Sequence, residues 1–381
     1  MKILYISHKV PYPLSDGGKL RVFNHIKHLS KKHEITSMSF VTDGGGLGGL
    51  GELKKYCAVK TVNLPKYKSL INTFFGLFSR LPLRVWYLKD KKFGLKAKEL
   101  TKEADLVIIQ ALRMSQYAFS PEKTIIDIVD TPSLQIKRAL KYEKPIWKLI
   151  WGVECPRILR YEKKVCRKFG NIIVASRDDK KGLGYGVVIK NGAKIDAVNR
   201  KESKKNNIMF LGNMEYKPNI DAAEFFIERI FPLIKKNVKN SKFYIVGKNA
   251  NKIKKYSNRD VIVTGFVKDL GKIFSKCQVF AAPLRLGSGI QNKVLEALNY
   301  QIPIVTTSIV NKGVEAKNGE EIIVANNPKD FADMVVMLLK NKKLREKISL
   351  NGKKFLKNNY SWKKANQKLD KVIEKIKGTT S

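Results

Sequence analysis

Acid is what this sequence is short of. Only 33 Asp and Glu stand against 75 Lys and Arg in 381 residues, leaving a formal charge of +42. Such a field favours anionic partners: nucleic acid, anionic lipid or phosphorylated substrates. The excess is mostly Lys, spread over nearly every expected surface helix, so a compositional bias of the genome is the simpler reading. Aromatic residues do not alternate with the charges as a base-stacking platform would require, and specific nucleic-acid binding is not expected. Cysteine is scarce too. Cys57, Cys155, Cys166 and Cys277 are scattered, with no pair at metal-ligand spacing. A disulfide framework and a zinc site are thereby disfavoured, and reduced, mostly buried thiols of a cytoplasmic protein are expected. The four histidines are His8, His25, His28 and His33, and none belongs to a Ser/His/Asp or Cys/His arrangement. His25 and His28 fall on the first expected helix and should be solvated, whereas His8 follows a strand near any ligand. No apolar run approaches the ~20 residues that cross a bilayer. No secretory leader is expected, because Met1-Lys2 runs straight into the strand-like Ile3-Leu4-Tyr5-Ile6. No repeat of 20–50 residues is visible.

What is present is a βα rhythm, twice over. Apolar runs such as Lys2–Ser7, Asp105–Gln110 and Thr124–Val129 read as buried parallel strands separated by helical stretches. Val22, Phe23, Ile26 and Leu29 fall on one face of a helix that follows Gly17-Gly18. Pro145–Phe169 reads as a long helix interrupted or kinked near Pro156. The rhythm pauses in the polar run Arg200-Lys201-Glu202-Ser203-Lys204-Lys205, then restarts at Ile208. Two α/β domains are expected: 1–192, a linker over 193–206, and 207–358, with a last helix over 359–381 packing back on the first domain. Ser69–Leu88, with Phe74, Phe75, Phe78, Trp86 and Tyr87 among Arg80, Arg84 and Lys89, admits two readings. It is a core helix broken at Pro82, the preferred reading, or an interfacial contact with an anionic membrane.

The stretch richest in chemistry is Ala282-Pro283-Leu284-Arg285-Leu286-Gly287-Ser288-Gly289-Ile290-Gln291-Asn292-Lys293-Val294-Leu295-Glu296. A strand ends, a Gly-x-Gly turn follows and a helix starts, so backbone N–H groups converge where an anion would bind. Arg285 and Lys293 add formal charge. At 100° per residue Val294, Leu295 and Leu298 share one face, and Lys293 and Glu296 lie nearly opposite. A carboxylate beside a phosphate site repels the ligand unless it serves another part of it, such as a ribose hydroxyl. The alternative is a surface i,i+3 ion pair worth a few tenths of a kcal/mol.

Arg285-x-Gly287-x-Gly289-x-x-x-Lys293-x-x-Glu296-Ala297, followed by Pro303-Ile304-Val305-Thr306-Thr307, resembles the donor site of family 4 glycosyltransferases. So does Phe210-Leu211-Gly212-Asn213-Met214 followed by Lys217-Pro218-Asn219-Ile220-Asp221. Gly17-Gly18, Asn191-Gly192 and the final Trp-containing helix extend the resemblance over most of the chain. It implies a GT-B fold, α/β, with two Rossmann-like domains whose parallel sheets face across a cleft. Glu296 would hold the nucleotide ribose; Arg285 and Lys293 the diphosphate; Gly287, Ser288, Gly289 and Ile290 line the turn. Gly17 and Gly18 would close over the donor, and Asn213 and Lys217 follow the first strand of the second domain. Two departures concern the sugar: no acid stands near Ser288, and Asn213 replaces a usual Arg. Asp127, Asp130 and Ser133, with Glu154, Arg157, Tyr161 and Glu162, resemble a subgroup of envelope polysaccharide assembly, facing an acceptor or capping helices. No Asp-x-Asp triplet occurs, so no metal is expected; positive side chains would stabilise the leaving diphosphate. No cofactor is expected beyond a UDP- or GDP-sugar co-substrate. The acceptor would be a glycan or lipid-linked, and the protein cytoplasmic or on the inner face of the plasma membrane. A dehydrogenase would need Gly-x-Gly-x-x-Gly after the first strand, which is missing. A sugar-nucleotide epimerase and a basic nucleic-acid-binding protein are the competing functions.

Overall fold

A computed structural model describes residues 1–14, 16–42, 48, 50–140, 143, 145–193, 195, 200, 203, 205–287 and 290–380. Two compact units divide the chain: Met1–Gly192 with Trp362–Ser381, and Ala193–Ser361. Most of 43–49 and of the polar run 193–206 lies outside the described residues.

Among the described residues the first unit holds seven strands: β1 (Lys2–Ser7), β2 (Glu34–Val41), β3 (Ala58–Asn63), β4 (Leu106–Gln110), β5 (Thr124–Ile128), β6 (Ile172–Val174) and β7 (Val187–Val188). All pair in parallel, in the order β3-β2-β1-β4-β5-β6-β7. β4 and β5 are buried along their whole length, as strands covered by helices on both faces must be. Each fully buried Ile or Leu contributes about 1.5–3 kcal/mol of transfer free energy. The Gly17–Leu29 helix follows β1 and is capped by Asp16, whose carboxylate accepts from the Lys19 N–H at 2.9 Å. Its inner face meets the last helix, Trp362–Thr380: Ala365, Leu369 and Ile373 enter one core with Ile3, Val22 and Ile26.

That inner face also corrects an expectation. His25 is fully buried, not solvated, with Nδ1 3.1 Å from the Tyr5 hydroxyl and its ring edge-on to Trp362. Burial holds its pKa well below the ordinary imidazole value. His28 is half-buried and meets the Asp370 carboxylate at 2.9 Å. Beside His25, Arg21 is also fully buried. Its Nε and Nη2 donate to the two oxygens of Asp127 at 2.7 and 2.9 Å, and Nη1 donates to the Ile189 carbonyl and Asn191 Oδ1.

The segment preferred as core, 69–88, needs correction in its first half: a new helix does start after Pro82, with Val85 and Leu88 in the core, but the part before it is open. Its helix, Lys66–Gly76, carries Leu70, Ile71, Phe74 and Phe75 in the open, and Phe78 just beyond is 83% exposed. The helical apolar stripe was legible; what it does not encode is whether protein covers it. Pro145–Phe169 is one helix with Pro156 inside it. Cys155, Cys166 and Cys277 are buried and Cys57 half-buried, all four as free thiols.

The second unit holds β8 (Asn207–Leu211), β9 (Lys242–Val246), β10 (Val261–Gly265), β11 (Val279–Ala282), β12 (Ile304–Thr306) and β13 (Ile323–Val324). The order is β10-β9-β8-β11-β12-β13, again all parallel. Succession runs outward from β8 on one side and from β11 on the other. The strand order therefore reverses between these two, and connections leave a crevice at their carboxyl ends. The first sheet has the same feature between β1 and β4.

Candidate functional site

Both chemistry-bearing motifs of the second unit leave the sheet at that reversal point. Gly212 and Asn213 follow β8, and Arg285 to Gly287 follow β11. The loops crowd. The β9 end brings Gly247, at φ +144°, so close that a Cβ there would lie 1.9 Å from the Gly212 carbonyl oxygen, which demands glycine. Gly212 N–H donates to the Val246 carbonyl at 2.9 Å, and Met214 N–H to that of Lys248 at 2.9 Å. Gly287 takes φ +118°, so the backbone turns where a side chain would strain it. Thr306 and Thr307, after β12, donate their hydroxyls to the Ala282 and Leu284 carbonyls at 2.9 and 2.5 Å, bracing the segment before the turn.

One helix, Lys217–Phe225, positions both cations. Arg285 donates through Nε and Nη2 to the Asp221 carboxylate at 3.1 and 2.6 Å, and its guanidinium lies 4.2 Å from the centre of the Phe225 ring. Asp221 and Phe225 are i and i+4 neighbours, so a single helical face grips the guanidinium from edge and plane. Two residues earlier, Asn219 Oδ1 accepts from Lys293 Nζ while Asn219 Nδ2 donates to the Asn213 carbonyl at 2.8 Å. The Lys293 ammonium also lies 5.1 Å from the Phe210 ring centre. No carboxylate pairs with Lys293 among the described residues, which removes the surface ion-pair reading with Glu296. Although the residue keeps some solvent contact, the protein packed round its ammonium pushes the pKa down to about 7.

Lys293 and Glu296 belong to the Asn292–Asn299 helix, whose Val294, Leu295 and Leu298 are buried, in the phase read from the sequence. Glu296 is exposed, yet the surrounding protein still pushes its carboxyl up from the usual range. Asn292 Oδ1 at the helix start is buried with no hydrogen-bond partner among the described residues. Asn213 is exposed, its Oδ1 accepting from the Glu215 N–H at 3.1 Å and from Asn249 at 3.0 Å. Lys217 is an exposed first residue of its helix, and Ile290 is half-buried beside the core. Ser288 and Gly289 lie outside the described residues.

At the reversal point of the first sheet, His8 after β1 meets Gln110 at the end of β4, Nδ1 to Oε1 3.0 Å. Burial and the charge of Arg113 hold the His8 pKa well below its ordinary value. Gly18 lies against Gln110, and Ala111, next in the chain, adopts φ 76°, a strained backbone for a residue with a Cβ. Gly18, His8 and Gln110 thus form one cluster, with Gly17 preceding Gly18 at the start of its helix.

The acids read as acceptor groups or helix caps resolve mostly to structural work. Asp127 is consumed by Arg21; Glu162 accepts from the Ser133 N–H at 3.0 Å and Glu154 from the Leu83 N–H at 2.7 Å, both at helix starts. Tyr161 meets Ser115 at 2.9 Å, and Arg157 Nη2 donates to the Leu77 carbonyl at 2.8 Å. Asp130 alone of these acids reaches solvent; the surrounding protein and the charge of Asp179 push its carboxyl up to about 7. Arg21, Asn219 and Asp221 went unassigned in the sequence. Their partners stand 106, 74 and 64 residues away, and only the i, i+4 spacing of Asp221 and Phe225 hinted at a paired role.

Comparison with known proteins adds likenesses to this geometry. Residues 205–341 match the model of Glycosyl transferases group 1. The chain is 23% identical over 390 residues to an uncharacterized 44.6 kDa protein in the cps region of Klebsiella pneumoniae, covering 95% of this chain and 97% of that one. Among solved structures it resembles Anabaena HepE in complex with UDP, at TM-score 0.71 and 13% identity over 98% of this chain and all of that one. TarM is similar at TM-score 0.72 and 13% identity, with 98% of each chain covered. The fold is that of GT-B glycosyltransferases, and within the second unit residues 205–341 are similar to the group 1 glycosyltransferase domain.

Proposed function

We propose that this protein is a glycosyltransferase moving a hexose-type sugar from a UDP- or GDP-sugar to a glycan or lipid-linked acceptor in cell-envelope polysaccharide synthesis. The observation that carries the reading is Lys293: an ammonium with no carboxylate partner among the described residues, packed into the protein at the strand-order reversal, beside a clamped arginine. A cation kept in such a place stabilises an anion that arrives there. Two further findings support it: HepE was solved with UDP, and the Klebsiella relative lies in a cps region.

In this reading Lys293, Arg285 and the backbone N–H groups of Gly287, Gly289 and Ile290 hold the diphosphate. Ser288 lines the turn, and Asn213 and Lys217 flank the donor. Glu296 accepts a hydrogen bond from a ribose hydroxyl. As the bond between the sugar's anomeric carbon and the phosphate oxygen lengthens, positive charge builds on the sugar and negative charge on the diphosphate. Cations and amides already in place stabilise that charge without reorganising. The acceptor oxygen bonds the anomeric carbon from the face the diphosphate leaves. Its proton passes to the departing phosphate oxygen, and configuration is retained with no metal required. Of Asp127, Asp130, Glu154 and Glu162, Asp130 is the one exposed to solvent and open to an acceptor.

The test is a thermal-shift screen of nucleoside diphosphates and nucleotide sugars on the full chain, repeated with Glu296→Ala and Lys293→Ala. One nucleotide series should raise the melting temperature of the wild type and of neither variant. Equal shifts in all three proteins would remove the assignment. Conversion of the donor into an epimeric nucleotide sugar without acceptor would indicate an epimerase instead.

A further inference from the structure

On the first unit, the Pro145–Phe169 helix has an outward face that changes character halfway. Its first turns expose Ile146, Trp147, Leu149, Ile150 and Val153, Leu149 at 68%. Its second half exposes Arg160, Lys163, Lys164, Arg167 and Lys168. Spacings of three and four residues place 146, 150, 153, 157, 160, 164 and 168 along one stripe. Glu154 and Glu162 are turned inward and buried, so no acid interrupts it. None of the five cations has a carboxylate within ion-pair distance among the described residues. The helix is about 37 Å long, so apolar and basic halves each run two to three turns.

A second apolar stripe ends beside this one. The Lys66–Gly76 helix exposes Tyr67, Leu70, Ile71, Phe74 and Phe75, followed by Phe78. Phe74 touches Phe75 and Phe78 edge-on, with ring centres 5.9 and 6.0 Å apart. Arg157, at the midpoint of the long helix, donates to the Leu77 carbonyl, and Glu154 accepts from Leu83, so the end of the aromatic stripe is fastened where the long helix turns from apolar to basic. Large apolar side chains left in water on two joined helices mark a contact surface.

We infer that this surface docks on an anionic lipid bilayer: the Phe74/Phe75/Phe78 and Ile146–Val153 side chains enter the interface, and the Arg160–Lys168 row lies against the headgroups. Charge decides among occupants. A second copy would set two rows of unpaired cations near each other. Nucleic acid would meet the cations, but the aromatics lie among Leu and Ile rather than between the charges, where stacking bases need them. A bilayer interface supplies both halves, hydrocarbon for one and anionic headgroups for the other. No helix of the described residues is long and apolar enough to cross a membrane, so attachment would be lateral. This surface is independent of sugar transfer and is measured without donor.

Co-sedimentation of the full chain with phosphatidylcholine vesicles, alone or mixed with phosphatidylglycerol, tests it. The wild type should bind the mixed vesicles and detach as salt rises. Lys163→Gln and Arg167→Gln should each lower the partition coefficient about fivefold. Phe74→Ser and Phe78→Ser should each lower it about tenfold. All four side chains are exposed, so melting temperatures should match the wild type. Trp147 fluorescence, identified by loss in Trp147→Phe, should shift to the blue on the mixed vesicles. Indifference to phosphatidylglycerol, or equal binding by all variants, overturns the inference. So does a dimer that Phe78→Ser dissociates, or nucleic-acid binding lost in the Lys163 and Arg167 variants, when vesicles are not bound.

Discussion

Two arginine–aspartate pairs of the same bidentate geometry show how one interaction serves two ends. Arg21 and Asp127 are both wholly buried, and Arg21 spends its remaining donor on the Ile189 carbonyl and Asn191. Arg285 and Asp221 keep side-chain exposures of 30% and 17%, at the carboxyl ends of the strands. The first pair locks the Gly17–Leu29 helix to the sheet. The second fixes where a cation points while leaving it within reach of solvent. What differs is the surroundings, and these set the cost of losing a partner.

The largest effect should come from Asp127→Ala, which strands a buried guanidinium and should cost about 3–5 kcal/mol in urea unfolding. Asp221→Ala should cost under about 1 kcal/mol in the same measurement, because its partner can turn to water. Equal losses would erase the contrast. Next comes Lys293→Met, which should lower kcat about 10²–10³-fold in a donor-turnover assay, the range for removing one donor to a developing negative charge. Asp221→Asn should follow, lowering kcat/KM about tenfold by loosening Arg285. Asp221→Glu should restore part of that loss; an Asn variant as active as wild type would show that Arg285 needs no clamp.

The smallest effect is a pH slope, and its sign is fixed. In the ligand-free protein Lys293 titrates near a pKa of about 7, below the ~10.4 of an unfolded chain. Between those values the unfolded state binds more protons, so this residue makes stability rise with pH across the window. In the proposed reading a diphosphate binds to the ammonium, so affinity should fall by up to about tenfold per pH unit above about 7. Titration calorimetry at several pH values would read both the affinity and the proton uptake. Lys293→Arg should flatten the slope, and a slope unchanged in that variant would assign it to another group.

The sheets were legible in the sequence because strands covered on both faces must be apolar throughout, and Ile3 to Ile6 or Leu106 to Ile109 admit little else. The phase of Val294, Leu295 and Leu298 set the orientation of the Asn292–Asn299 helix for the same reason. His25 was misjudged by residue type although its position, three residues after Val22 and four before Leu29, puts it on the buried stripe. Polar residue types bias toward solvent; periodicity carried the better information. The Phe74 stripe failed in the opposite sense, since amphipathicity shows that a face is apolar and not what covers it. Arg21 and Asp221 were beyond reach, because a charge is held by a partner that only the folded chain brings near.

The last helix, Trp362–Thr380, has a consequence for how the molecule comes into being. Its Leu369 and Ile373 complete a core begun by Ile3 and Val22. On the ribosome the N-terminal 192 residues therefore emerge with one wall missing. The intervening unit must be translated before that wall arrives, a wait of roughly 10–30 s at about 5–20 residues per second. The later-made unit is thus free to close first, and the earlier one stays open to chaperones or proteases until the Trp362–Thr380 helix is released.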